Sequence, residues 1–151
     1  MWEPSRARVA RSNIAGMTAL GAQVVCIGPP AMAPRSLESL GAKVSGTLDD
    51  VLPSLDAVMM LRIQFERYEE GAEAKKGSPL ASTREFRECF ALTAERAGRM
   101  KQGAVVMHPG PINRGLELDA VVADGPRSVI LRQVSNGVLI RMAVLEWAML
   151  G

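Results

Sequence analysis

Short apolar runs that fall between helix-patterned segments are the feature that most restricts how this chain can fold. Gln23–Ile27, Asp56–Leu61 and Ala104–Met107 are such runs, with a shorter one at Lys43–Ser45, each bounded by glycine, proline or polar residues. Brief and without polar alternation, they read as strands buried on both faces. Strands that alternate with helices are joined by crossovers, which make neighbouring strands parallel. The expected fold is therefore α/β, a doubly wound, mainly parallel sheet flanked by helices. Such folds usually begin with a strand feeding the first helix. Here the pattern opens almost at a helix, so the sheet is expected to lack its first strand.

The helical segments carry their own punctuation. Residues 8–20 place Val9, Ala10, Ile14, Met17 and Leu20 near one face, and Gly21 supplies a stop. Pro34 can open a helix to Leu40, with Gly41 after it. Thr47-Leu48-Asp49-Asp50 has the form of a helix start. Ser82-Thr83-Arg84-Glu85 is a capping box for a helix reaching Phe90 or Ala91, and Thr93 opens another to about Lys101. Residues 62–80 are a polar loop, and 108–126 a loop rich in glycine and proline. Residues 127–150 read as two helices broken around Asn136-Gly137.

Composition removes several classes of function. A chain of 151 residues, 48% apolar with mean hydropathy +0.09, can bury one core and is not a disordered segment. No apolar run approaches the ~18 residues of a membrane span. Met1–Arg6 lacks the apolar stretch of a signal peptide, so a cytoplasmic protein without a membrane partner is expected. The net charge is only +2 and aromatics are 4%, too few for base-stacking platforms, so no nucleic-acid partner is expected. A single histidine, His108, removes multi-histidine metal sites, and the distant Cys26 and Cys89 read as reduced thiols. Neither G-x-G-x-x-G nor G-x-x-x-x-G-K-[ST] occurs, and no metal or cofactor is expected.

Ligands of open parallel sheets sit beyond the carboxyl ends of the strands, and two segments there are rich in chemistry. In Leu61-Arg62-Ile63-Gln64-Phe65-Glu66-Arg67, alternation puts Arg62, Gln64 and Glu66 on one side of an extended chain. Arginine and glutamine together can hold a carboxylate and a neighbouring polar group. A solvated loop with a local Arg–Glu pair is the simpler alternative. The second segment is His108-Pro109-Gly110-Pro111-Ile112-Asn113-Arg114-Gly115-Leu116-Glu117. Its prolines remove N–H donors, and Gly110-Pro111 is a candidate cis bond. The alternative here is a rigid loop in which Arg114 pairs with Glu117.

Four runs give the chain a resemblance: R-V-A-R-S-N at 8–13, M-M-L-R-I-Q-F-E-R at 59–67, M-H-P-G-P-I-N-R-G-L-E at 107–117 and A-D-G-P-R-S-V-I-L-R-Q-V-S-N-G-V-L-I-R at 123–141. With their spacing they cover residues 8–150. The sequence resembles the C-terminal, aspartate-binding half of the aspartate carbamoyltransferase catalytic chain. The H-P-G-P-x-N-R-G run sets it apart from ornithine carbamoyltransferases, whose equivalent loop carries His-Cys-Leu-Pro. The resemblance implies transfer of a carbamoyl group from carbamoyl phosphate to the amine of L-aspartate, in pyrimidine biosynthesis. By that resemblance, Arg8 and Arg62 grip the aspartate carboxylates and Gln64 helps orient the amino acid. Gly110 and Pro111 belong to a loop whose carbonyls receive the attacking amine and the carbamoyl amide. Glu66 and Arg67 organise the loop and support closure; His108, Arg114 and Glu117 play supporting parts.

The resemblance also marks departures. Residues 1–7 are atypical where the family has a strand ending in Gly-Asp, which leaves Arg6 as a register competitor for Arg8. Residues 8–151 match the aspartate-binding domain, and the carbamoyl-phosphate domain is absent. Ser82-Thr83-Arg84 resembles a piece of the family's phosphate loop but is followed by Glu85, and reads as a helix cap. His108 does not correspond to the family's carbonyl-polarising histidine. The expected partners are L-aspartate, carbamoyl phosphate only through a separate N-terminal half, and sister subunits in a homotrimer. No catalytic residue is assigned to this half. The alternative is a catalytically inactive truncated domain that acts only as an amino-acid-binding or interaction module.

Overall fold

A computed structural model describes residues 8–63 and 82–150. These residues form two compact units: one comprises residues 8–50 and 82–90, the other 51–63 and 91–150.

In the first unit, helix α1 (Arg8–Ala19) leads to strand β1 (Val25–Ile27), a 3-10 helix (Arg35–Leu40) and strand β2 (Lys43–Ser45). β1 and β2 pair in parallel, Val25 opposite Lys43 and Ile27 opposite Ser45. Ile14 from α1, Leu37 from the 3-10 helix and Ala42 form the core, with Val24, Cys26 and Val44 packed against it. Burial pushes the Cys26 thiol pKa up. The helix expected after Pro34 exists but winds more tightly. The Ser39 hydroxyl donates to the Ser36 carbonyl at 2.8 Å, competing for a helical acceptor. Gly41 ends it at φ 94°, in the left-handed region, with its N–H on the Glu38 carbonyl. The helix start read at Thr47 is a turn instead: the Thr47 hydroxyl donates to the Asp50 carboxylate. Pro53 follows within two turns and would remove a donor from any continuing helix. Helix α2 (Thr83–Phe90) starts as expected, with the Glu85 N–H donating to Ser82 Oγ at 3.0 Å.

The second unit begins with a 3-10 turn (Leu52–Ser54) and strand β3 (Ala57–Met59). Helix α3 (Ala94–Gly98) is capped by Thr93, whose side chain accepts from the Arg96 N–H. Strand β4 (Val105–Met107) pairs in parallel with β3, Ala57 opposite Val105 and Met59 opposite Met107. On its other edge, β4 takes the segment before the last helix: Val106 N–H donates to the Arg127 carbonyl and Val129 N–H to the Val106 carbonyl. Leu52, Leu92, Val106 and Leu118 are fully buried. Helix α4 (Ala120–Ala123) is a short turn inside the expected 108–126 loop.

Helix α5 (Ile130–Leu150) runs 21 residues without a break, correcting the expected interruption at Asn136-Gly137. Gly137 keeps a negative φ and has open space around it. A helical glycine costs only ~1 kcal/mol relative to alanine, which the leucine, methionine, arginine and alanine around it offset.

The expected α/β architecture with parallel strands is present, but the sheets are short: two parallel pairs, β1-β2 and β3-β4. Residues 1–7, on which the expectation of a missing first strand bears, lie outside the described residues.

Candidate functional site

Because β3 and β4 are parallel and in register at Met59 and Met107, both release the chain at the same end. One further backbone bond, Met60 N–H to the Met107 carbonyl at 3.0 Å, continues the pairing past β3. Leu61-Arg62-Ile63 then leaves β3 beside the loop that leaves β4 at His108. Arg62 and Gly110 each stand three residues beyond the last registered pair.

The β4 loop is braced from within. His108 is fully buried, and its backbone N–H donates to Gln133 Oε1, on the first turn of α5, at 3.0 Å. Its ring Nδ1 accepts the Gly110 N–H at 2.8 Å, which places the ring proton on Nε2. Nε2 lies 3.3 Å from Oε1 of Glu117, also fully buried. That contact is electrostatic rather than an aligned hydrogen bond, and among the described residues neither His108 Nε2 nor Glu117 Oε2 has a hydrogen-bond partner. Glu117 Oε1 accepts the Asn113 N–H at 2.7 Å. Between these anchors the loop turns outward: the Gly110–Pro111 bond is cis, and Pro109, Gly110 and Pro111 are exposed. Two prolines in three residues give this bulge carbonyls with few competing N–H donors.

Asn113 connects the two segments. Its Oδ1 accepts from Arg62 Nε at 3.4 Å and its Nδ2 donates to the Ile63 carbonyl at 3.0 Å. Ile63 is buried and Arg62 half-buried. The second unit thus gathers a guanidinium bonded at Nε and an outward loop of carbonyls at one strand end. Such a pair can bind a carboxylate on one side and accept N–H groups on the other. The sequence reading had not singled out Asn113 or Gln133. For Asn113 a signal existed: an amide, donor and acceptor at once, lies in a loop beside a strand end that carries arginine.

The other anticipated residues are placed as follows. Arg8 is exposed and opens α1, in the first unit. Arg114 turns away from Glu117 and forms a two-pronged pair with Asp124, at 2.6 and 2.9 Å. This corrects the Arg114–Glu117 pair: Glu117 faces inward to His108, while Arg114 stays in solvent. The Arg114 guanidinium holds the Asp124 carboxyl below the usual carboxylate range, and the Arg114 pKa is raised in return. Gln64, Glu66 and Arg67 lie outside the described residues, as does the atypical segment 1–7. Among the described residues no group of three or more His, Cys, Asp or Glu side chains could hold a metal ion. No described helix is long and apolar enough to cross a membrane.

Residues 1–148 match the family described as aspartate/ornithine carbamoyltransferase, Asp/Orn binding domain. The chain belongs to that family. A relative from Myxococcus xanthus, named aspartate carbamoyltransferase catalytic subunit, is 60% identical over 139 residues, covering 92% of this chain and 44% of the relative. The chain therefore spans less than half the length of that carbamoyltransferase and matches its C-terminal part. Among solved structures, aspartate transcarbamoylase from Trypanosoma cruzi in complex with N-(phosphonacetyl)-L-aspartic acid is similar at a TM-score of 0.59 and 28% identity, over 81% of this chain and 39% of that one. Ornithine carbamoyltransferase from Pyrococcus furiosus shares the fold at a TM-score of 0.72 and 24% identity, over 91% of this chain and 45% of that one.

Proposed function

We propose that this chain is the L-aspartate-binding half of an aspartate carbamoyltransferase, acting in the cytoplasm in pyrimidine biosynthesis, and that it does not transfer the carbamoyl group alone. The observation that carries the reading is the joining of Arg62 and the Gly110–Pro111 loop through Asn113 at one strand end. The family and the Myxococcus xanthus relative support aspartate as the acceptor.

In this reading Arg62 binds a carboxylate of aspartate, since a guanidinium fork suits a planar carboxylate better than a lysine point charge, and the family resemblance gives Arg8 the same task. Gln64 orients the amino acid, while Glu66 and Arg67 support closure. The loop carbonyls around Gly110 and Pro111 receive the amine N–H bonds and aim its lone pair at the carbamoyl carbon. Attack forms the new C–N bond; collapse of the tetrahedral species breaks the C–O bond to phosphate, and the departing phosphate takes up the proton that the amine nitrogen loses. Polarising the carbonyl and stabilising the leaving phosphate require further groups. Those belong to a carbamoyl-phosphate half, and in the complete enzyme to neighbouring subunits of a homotrimer.

Calorimetric titration of the chain with succinate, an unreactive dicarboxylate, and with L-ornithine tests the reading. Succinate is expected to bind and to lose binding in Arg62→Ala. Preference for ornithine, or succinate binding indifferent to Arg62→Ala, contradicts it.

A further inference from the structure

We propose that Asn113 is the positioning residue for Arg62 and joins it to the Gly110–Pro111 loop as one braced unit. The inference rests on the reading of Arg62 as a carboxylate-binding residue and adds a residue to that site. Asn113 lies 51 positions from Arg62 in sequence, yet its single amide grips two consecutive residues: Arg62 through Nε and Ile63 through its carbonyl. A carboxylate there would lack the donor, and a serine hydroxyl would be shorter in reach. Because Nε and both Nη atoms are coplanar, holding Nε sets the plane of the guanidinium fork. Fork-to-carboxylate recognition depends on that plane.

Asn113 is itself held from behind. Its backbone N–H meets Glu117 Oε1 at 2.7 Å, the same oxygen that stands 3.3 Å from His108 Nε2. His108 Nδ1 then takes the Gly110 N–H at 2.8 Å. The series Arg62, Asn113, Glu117, His108, Gly110 leads from the carboxylate-binding group to the amine-receiving loop by hydrogen bonds, except at the 3.3 Å electrostatic contact between Glu117 and His108. His108 and Glu117 are fully buried, so the middle of the series sits where side chains have little freedom. Ordering a long arginine before the ligand arrives lowers the entropy lost on binding.

Exchange of the Arg62 Nε–H with water, followed by nitrogen-15 NMR on the 151-residue chain without ligand, reads the brace directly. It is expected to be slow in the unaltered chain and about tenfold faster in Asn113→Ala, with succinate affinity weakened roughly tenfold. Asn113→Asp keeps an acceptor for Nε and is expected to restore slow exchange while still binding succinate poorly, because it adds a negative charge beside the ligand. Asn113→Ser, which keeps a polar side chain too short to reach Arg62, serves if Asn113→Ala does not fold. Exchange that stays slow in Asn113→Ala or Asn113→Ser overturns the proposal, whatever succinate does. Asn113-dependent exchange supports the brace, and if the unaltered chain then fails to bind succinate, the aspartate reading falls separately.

Discussion

Glu117 illustrates how one residue can be recognised as important while its partner is misread. Its place in the H-P-G-P-I-N-R-G-L-E run drew attention, and Arg114 was its nearest cation in sequence. Burial decided otherwise. A carboxylate with no exposure finds the imidazole and backbone N–H beside it, and Arg114 keeps its guanidinium in water against Asp124. That surface pair has a pH signature. The Asp124 pKa is lowered in the folded chain, so its contribution to stability is present above the unfolded carboxylate value, ~3.9. It is lost as pH falls through the lower folded value. Both side chains are exposed, so the effect on stability is small. NMR titration of Asp124 is expected to show a midpoint below that of an ordinary aspartate, returning toward it in Arg114→Ala. An unchanged midpoint in that variant contradicts the pairing. Asn113 was less legible than Glu117 because its meaning depends on residues 51 positions away, brought near only by the β3–β4 register.

Elements announced by local chemistry were legible in the sequence. Ser82 and Thr93 cap helices through groups three residues on, and Gly41 stops a turn because it accepts a positive φ. These signals act within one turn and need no tertiary context. The strands at 25–27, 43–45, 57–59 and 105–107 were legible as brief apolar or β-prone runs between breakers. Misreadings arose where a local signal competed with its surroundings. Thr47 was read as a cap but spends its hydroxyl on Asp50, ahead of Pro53. Asn136-Gly137 was read as a break but lies inside α5. A glycine that keeps helical φ with open space around it gains from a methyl group, through a less flexible unfolded chain. Gly137→Ala is therefore expected to raise stability by about 0.5–1 kcal/mol in urea unfolding. Destabilisation would mean that the helix does break there.

At the largest scale, α5 stands out among the described residues for its exposed apolar side chains. α5 buries only Ile130, while Leu131, Leu139, Ile140, Leu145 and Trp147 along it are exposed, Trp147 at 74%. A helix that is apolar on all sides is ordinarily covered. Unfolding of the chain is expected to depend on protein concentration, with Trp147 emission shifting to shorter wavelength as concentration rises. A cooperative transition independent of concentration contradicts this expectation. Formation of N-carbamoyl-L-aspartate is the direct test of the proposed function, measured for the 151-residue chain alone and for the chain joined to the N-terminal part of its Myxococcus xanthus relative. The joined protein is predicted to form the product from carbamoyl phosphate and L-aspartate and to lose that activity in Arg62→Ala, while the chain alone forms none. Product from the chain alone, or a folded joined protein that carbamoylates ornithine and not aspartate, would contradict the account.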